Sequence, residues 1–279
     1  MNKIILLDLD ETIIDTKYQF NCSRPLWKQT IKRAGECGVV IGLNSDTPLV
    51  TMRRLASEFG LSGPLIAERG AVVLINGVEH CVAASTALEF PRFRLAVISA
   101  LFPLVNAGRL LIVTGDVNEL SNRMPRMIKA ACSAELAVLI NGFRQYSFSC
   151  FVRKRENASW VKDSGVLDEV ISVLSKVGRD FRVLWKLRDI DRNPDYGFLG
   201  VHLRVTQKCM AVRRLLSEAE GSQVYMIGNS MSDWCGENSR LTHCAVANAT
   251  DDFKANCAHV AHGELTRGVI ELIDKIVES

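Results

Sequence analysis

The apolar run Ile4-Ile5-Leu6-Leu7 stops on Asp8-Leu9-Asp10-Glu11-Thr12. Four consecutive apolar residues read as a short buried strand, and the acids directly behind it mark where that strand ends and the chain turns. Residues two apart in an extended chain point to the same face, so Asp8 and Asp10 are expected to be presented together. Two adjacent carboxylates repel unless a cation or a proton sits between them. From this pentapeptide alone, a metal-binding turn and an ordinary solvated acidic turn are equally good readings.

The next residues repeat the theme of a buried strand, a polar turn and an amphipathic helix. Leu26 to Gly35 reads as a helix, and Gly38 to Leu43 as a strand ending at Asn44-Ser45-Asp46-Thr47-Pro48. Pro48 suits a first helical turn, and Leu49 to Phe59 supplies the helix. Leu65 to Ala67 and Ala71 to Leu74 read as strands around Glu68-Arg69-Gly70. This alternation is the signature of a parallel sheet with crossover helices.

From about residue 84 the texture changes. Helices at Phe93 to Leu104, through Met127-Ile128 and at Val166 to Val177 are interleaved with strands at Leu110 to Val113, Ala137 to Ile140, Tyr146 to Val152, Phe181 to Leu187 and Phe198 to Leu203. The earlier pattern then returns with a helix from Lys208 to Glu218, a strand from Val224 to Ile227 and the turn Gly228-Asn229-Ser230-Met231-Ser232-Asp233. Short strands at Cys244 to Ala247 and Val260-Ala261 and a final helix from Val269 to Val277 complete it. The expected architecture is α/β: a doubly wound parallel-sheet core from residues 1–83 and 197–279, with an inserted α+β domain over 84–196.

Composition excludes several function classes. No apolar run is long enough to span a bilayer, and Lys3 followed at once by a strand bearing acids does not read as a signal peptide, so a cytoplasmic protein is expected. The chain carries 34 Lys and Arg against 31 Asp and Glu, too even a balance to imply nucleic acid or a membrane as partner. The inserted segment holds 17 basic and 12 acidic residues, which would suit an anionic substrate, although ordinary surface scatter explains so small an excess equally well. Nine dispersed cysteines with no Cys-x-x-Cys pair argue against zinc or a complete disulfide framework, and they read as small buried apolar residues.

Four polar clusters fall at the carboxyl ends of strands or beside them: Asp8 with Asp10, Ser45, Lys208, and Asn229 with Asp233. Open α/β sheets bind ligands there. In this order and spacing the four resemble the motifs of the haloacid dehalogenase superfamily of phosphotransferases, over nearly the whole chain. The insertion resembles the cap of its Cof-like sugar phosphatases. The resemblance implies that Asp8 is the nucleophile on phosphorus and that Asp10 is the general acid and base. Ser45 then donates to the transferring phosphoryl group, and Lys208 neutralises charge. Asp8, Asp10, Asn229 and Asp233 hold Mg2+, with Asn44 and Arg69 beside Ser45 and Lys208 on the substrate. A phosphomonoester dianion repels an anionic attacker, which is why a carboxylate nucleophile needs a divalent cation.

Three departures stand out. The fourth motif reads Gly228-Asn229 where the family usually has Gly-Asp; an amide oxygen still coordinates magnesium but brings no charge, so weaker affinity is expected. Arg69 takes the place of an asparagine, and it is expected to restore a positive charge that relatives carry at position 47. Glu11 stands where Cof-like first motifs most often have glycine. The implied activity is magnesium-dependent hydrolysis of a small phosphorylated metabolite, a sugar phosphate or a phosphorylated sugar acid such as phosphoglycolate, with the insertion hinging over the substrate. A phosphomutase, or a catalytically weakened homologue that binds a phosphorylated ligand, remains open.

Overall fold

The computed structural model describes residues 3–16, 19–82, 84–116, 134–157 and 159–279. The chain forms two compact units, Met1–Val82 with Thr206–Ser279, and Ala83–Val205. The first begins with β1 (Lys3–Leu7), α1 (Arg24–Glu36), β2 (Val39–Asn44), α2 (Leu49–Phe59) and β3 (Leu65–Ala67). Local chemistry sets these boundaries. The Ser23 hydroxyl accepts from the Leu26 amide at the start of α1, and Gly60, at φ 74°, takes the left-handed position that ends α2. A single 3-10 turn, Glu68–Gly70, then leads into β4 (Val72–Ile75) and β5 (Val78–Cys81).

The second unit contains α3 (Ala84–Ala87), α4 (Glu89–Asn106), β6 (Leu110–Gly115), β7 (Leu136–Asn141), β8 (Phe148–Glu156), β9 (Ser159–Val161), α5 (Ser164–Gly178), α6 (Arg182–Leu187), β10 (Arg188–Asn193) and β11 (Phe198–Leu203). Its sheet runs β10-β11-β8-β7-β6, with β9 paired to β8; only β6 and β7 are parallel among these described strands. The helix expected through Met127-Ile128 lies outside the described residues.

Two sequence expectations change here. Phe181 to Leu187 is helical from Arg182, not a strand. Leu184 is fully buried, and the Trp185 ring packs on Phe93 at 5.8 Å between centroids, a contact that a short apolar run does not announce. The strand lies in the polar residues behind it, Arg188–Asn193, held by antiparallel pairing with β11. The sequence also places the return to the core at 197, yet Phe198–Leu203 pairs with β8 and β10, so the crossing falls at Thr206.

The first unit then resumes with α7 (Lys208–Glu218), β12 (Gln223–Gly228), a 3-10 turn at Met231–Asp233, β13 (Leu241–Ala245), α8 (Asp251–Lys254), β14 (His259–Val260) and α9 (Leu265–Glu278). Its sheet order is β14-β13-β12-β1-β2-β3-β4-β5, parallel from β14 to β3 with β4 and β5 as an antiparallel edge. The apolar face of α7, Ala211, Val212, Leu215 and Leu216, packs on Ile4, Leu6, Ile66, Val73, Val224 and Met226. Burying each such Val or Leu side chain contributes roughly 1.5 to 3 kcal/mol, and that packing fixes where α7 begins. No helix among the described residues is long and apolar enough to cross a membrane.

Candidate active site

β1 lies between β12 and β2, with Leu7 level with both Ile227 and Leu43. The three strands therefore end together, delivering Asp8, Asn44-Ser45 and Gly228-Asn229 to one edge of the sheet. The Asp8 amide donates to Ile227 O at 2.9 Å, and the Ser45 amide to Ile66 O at 2.9 Å. At β1 the strand order also reverses, running to β2 on one side and β12 on the other. Such switch points are where doubly wound sheets open a crevice for ligands.

Lys208, the first residue of α7, sets the electrostatics of this edge. Its Nζ donates to Asp8 Oδ1 at 2.5 Å and to Asp233 Oδ1 at 2.7 Å. All three groups are buried, Asp8 at 5%, Lys208 at 8% and Asp233 at 0% exposure. Burial alone would lower the lysine, but the two carboxylates outweigh it and hold its pKa above the usual range. The opposite balance governs Asp8. Burial, then the charge of Asp233, then that of Asp10 raise it to about 7 against the opposing pull of Lys208. One ammonium does not compensate this much buried negative charge.

Backbone fit secures the other Asp233 oxygen. Oδ2 accepts from the Asn229 amide at 3.2 Å, and a Cβ at Gly228 would stand 2.2 Å from it. Glycine at 228 is thus the condition for seating Asp233 beneath the turn. Gly70 plays a similar part for the lysine: at φ 89° it lets the Glu68–Gly70 turn close on the start of α7, where a Cβ would stand 2.5 Å from Gln207 O.

Asp10 reaches the site differently. β1 stops at Leu7, so the pleat does not pair the two acids; Asp8 is buried and Asp10 exposed. A tight turn separates them. The Leu9 carbonyl accepts from the amides of Thr12, Ile13 and Ile14, and Glu11 sits in the left-handed region at φ 56°. Thr12 Oγ1 donates to Asp8 Oδ2 at 3.3 Å, so a hydroxyl orients the carboxylate oxygen that Lys208 leaves. Sequence reading gave Thr12 no role, although a hydroxyl four residues after a candidate nucleophile was a usable signal.

Ser45 is fully buried, and its Oγ accepts from the Thr47 amide and donates to Thr47 Oγ1, both at 3.1 Å. It shapes the turn rather than capping α2, whose first amides it does not meet; Pro48 stands at that cap. Arg69 joins this turn through its backbone, its amide donating to Ser45 O at 3.3 Å while Glu68 N donates to Thr47 O at 3.1 Å. Arg69, like Glu11, has a left-handed backbone, at φ 59°. Asn44, expected on the substrate, lies beside Ser45 at the end of β2. It is wholly buried, with Nδ2 against Met226 Sδ at 3.4 Å and Oδ1 without a hydrogen-bond partner among the described residues, an interior position that follows from its place as the last residue of β2.

The oxygen donors at the sheet edge are those of Asp8, Asp10, Asp233 and Asn229. Among the described residues no group of three or more His, Cys, Asp or Glu side chains is gathered as a metal cluster. Two buried carboxylates with surplus negative charge nevertheless fit a hard divalent cation that keeps several of its waters, as magnesium does.

The parallel sheet, its switch point and the inserted α+β unit give the chain the fold of the haloacid dehalogenase-like hydrolases. A haloacid dehalogenase-like hydrolase from Bacteroides thetaiotaomicron is 19% identical with a TM-score of 0.60, over 99% of this chain and 100% of that one. One from B. subtilis is 14% identical with a TM-score of 0.54, over 98% and 99%. The sucrose-phosphatase from Synechocystis, solved with sucrose and phosphate, is 12% identical with a TM-score of 0.53, over 99% and 98%. No family model and no curated protein sequence matches the chain.

Proposed function

We propose that this protein is a magnesium-dependent phosphatase of small phosphomonoesters, working through an aspartyl-phosphate on Asp8. The observation that carries the reading is the single buried ammonium of Lys208 shared between Asp8 and Asp233 at strand ends. An Asp8 carboxylate oxygen attacks phosphorus and the ester P–O bond breaks, with Asp10 giving its proton to the leaving oxygen. Asp10 then takes a proton from the water that attacks the aspartyl-phosphate, releasing phosphate and restoring Asp8. Thr12 and Lys208 orient the attacking carboxylate, and Ser45 and Arg69 present donors to the phosphoryl oxygens. Asp8, Asp10, Asp233 and Asn229 would hold Mg2+, which offsets charge between the dianion and the carboxylate.

Sugar phosphates and phosphorylated sugar acids are the favoured substrates, in keeping with similar structures described as a sucrose-phosphatase and a trehalose-6-phosphate phosphatase related protein. Selection among them is assigned to the inserted unit. A phosphate-release screen over phosphorylated metabolites, with Mg2+ and with chelator, tests the reading in wild type and Asp8→Asn. Chelator-insensitive release, or an active Asp8→Asn protein, contradicts it.

Asn229 favours a second reading, a weakened homologue that binds a phosphorylated ligand without turning it over. Its signature is ligand-induced thermal stabilisation with no phosphate released at saturating Mg2+.

A further inference from the structure

Six described non-glycine residues have a positive φ: Glu11, Glu68, Arg69, Asn76, Asn157 and Leu265. Asparagine tolerates that region; glutamate, arginine and leucine are strained there. Strain of this kind persists only where the surroundings over-determine the conformation. Glu11 and Leu265 stand near opposite ends of the chain, yet one side chain holds both. Asn248 Nδ2 donates to Glu11 O at 2.8 Å, and Asn248 Oδ1 accepts from Leu265 N at 2.9 Å. Next to it, Thr266 Oγ1 donates to Ile13 O at 2.6 Å and accepts from Asn21 N at 3.1 Å. The turn carrying Asp10 is therefore fastened on both sides to the entry of α9.

We infer that Asn248 is a positioning residue for the general acid: its amide clamps the left-handed turn at Glu11 and so sets where Asp10 stands relative to Asp8. The chemistry requires an amide, because the clamp needs one donor and one acceptor on a short stem. Aspartate would keep the acceptor toward Leu265 N but would set a carboxylate oxygen against the Glu11 carbonyl. Asn248 is an exposed residue, so its contribution comes from these two bonds and not from packing. The catalytic half of the inference rests on the role proposed for Asp10; the clamp itself does not.

The test compares wild type, Asn248→Ala, Asn248→Asp, Glu11→Gly and the double variant Asn248→Ala with Glu11→Gly. Activity is read with Mg2+ on two esters: the best alkyl phosphate from the release screen and p-nitrophenyl phosphate, whose leaving group hardly needs a proton. Asn248→Ala is expected to lower kcat for the alkyl ester about tenfold or more, with KM nearly unchanged and a smaller loss on the nitrophenyl ester. Asn248→Asp should behave like the alanine variant. Thermal unfolding reads the clamp directly. Asn248→Ala should lower the midpoint by about 2 to 4 °C in the wild-type background and by less in Glu11→Gly, because glycine takes the left-handed turn without help. Equal losses on both esters, a wild-type-like Asn248→Asp, or melting effects that add without coupling would each overturn the inference. A wild-type protein that releases no phosphate defeats the functional reading and the catalytic half with it, while the melting cycle still decides the clamp.

Discussion

The two flanks of Asp8 are built on opposite principles. On one, Lys208 and Asp233 are buried, seated by helix packing and by a glycine that leaves room for a carboxylate. On the other, Asp10 is exposed on a strained turn tied by distant backbone and amide groups. The buried flank holds charge that must be compensated wherever it lies, so its residue types are dictated. In the proposed mechanism the exposed flank delivers a proton to a leaving group and receives one from water, which a group sealed in the core could not do. The difference separates a side whose failure costs stability from one whose failure costs geometry.

Lys208→Met is the sharpest way to break this contrast. Removing one partner of a buried ion pair leaves its carboxylates uncompensated, and a loss of about 3 to 5 kcal/mol in chemical denaturation is expected. Added Mg2+ should recover part of that loss in the variant. A loss below about 1 kcal/mol would show that the buried flank is not held by charge. Gly228→Ala comes next, because its Cβ meets the Asp233 carboxylate; about 1 to 3 kcal/mol should be lost together with Mg2+-dependent activity.

His243 probes the buried flank through pH. Its Nε2 accepts from the Cys235 amide at 3.0 Å, and burial lowers its pKa to about 4 against the opposing charge of Asp233. Between about pH 6.5 and pH 4 the unfolded chain therefore binds the extra proton, so stability rises with pH across that window and is lost on acidification. Comparing His243→Gln with wild type by denaturation at pH 7 and pH 4.5 should show wild type losing about 1 to 2 kcal/mol more. Equal slopes would remove His243 from the account. Glu11→Gly is the smallest change and carries the opposite sign, since relieving one left-handed residue should raise stability by about 1 kcal/mol. A destabilised variant would mean that the glutamate side chain outweighs its backbone cost.

Legibility in the sequence follows the same division. β1, β2, α2, α7 and β12 announce themselves because burial imposes a period on their residues. The 182–187 helix does not, since a short apolar run suits helix and strand alike, and β5 does not because an edge strand with exposed Val78 and Glu79 has no apolar stripe. Asp8, Ser45, Lys208 and Asp233 could be picked out as candidates because the proposed chemistry needs particular side chains at strand ends or beside them. Asn248 and the Glu68–Gly70 turn make their contacts through backbone conformation or with partners far along the chain, and no local pattern of residue types records that. The places of Glu11 and Arg69 were visible only as departures from a family pattern. The backbone supplies their meaning, as positions where glycine or asparagine would sit without strain.

The central place of β1 has a consequence for the order in which the protein is made. Synthesis delivers β1 before the second unit and β12, its neighbour in the sheet, only after that whole unit has left the ribosome. At roughly 5 to 20 residues per second, Asp8 waits on the order of ten seconds or more for Lys208 and Asp233. During that interval one side of β1 is an open apolar edge, able to pair with whatever strand arrives. The slow step in assembling this sheet is thus expected to be the pairing of β1 with β12, and a nascent chain halted before β12 is the form most prone to aggregate.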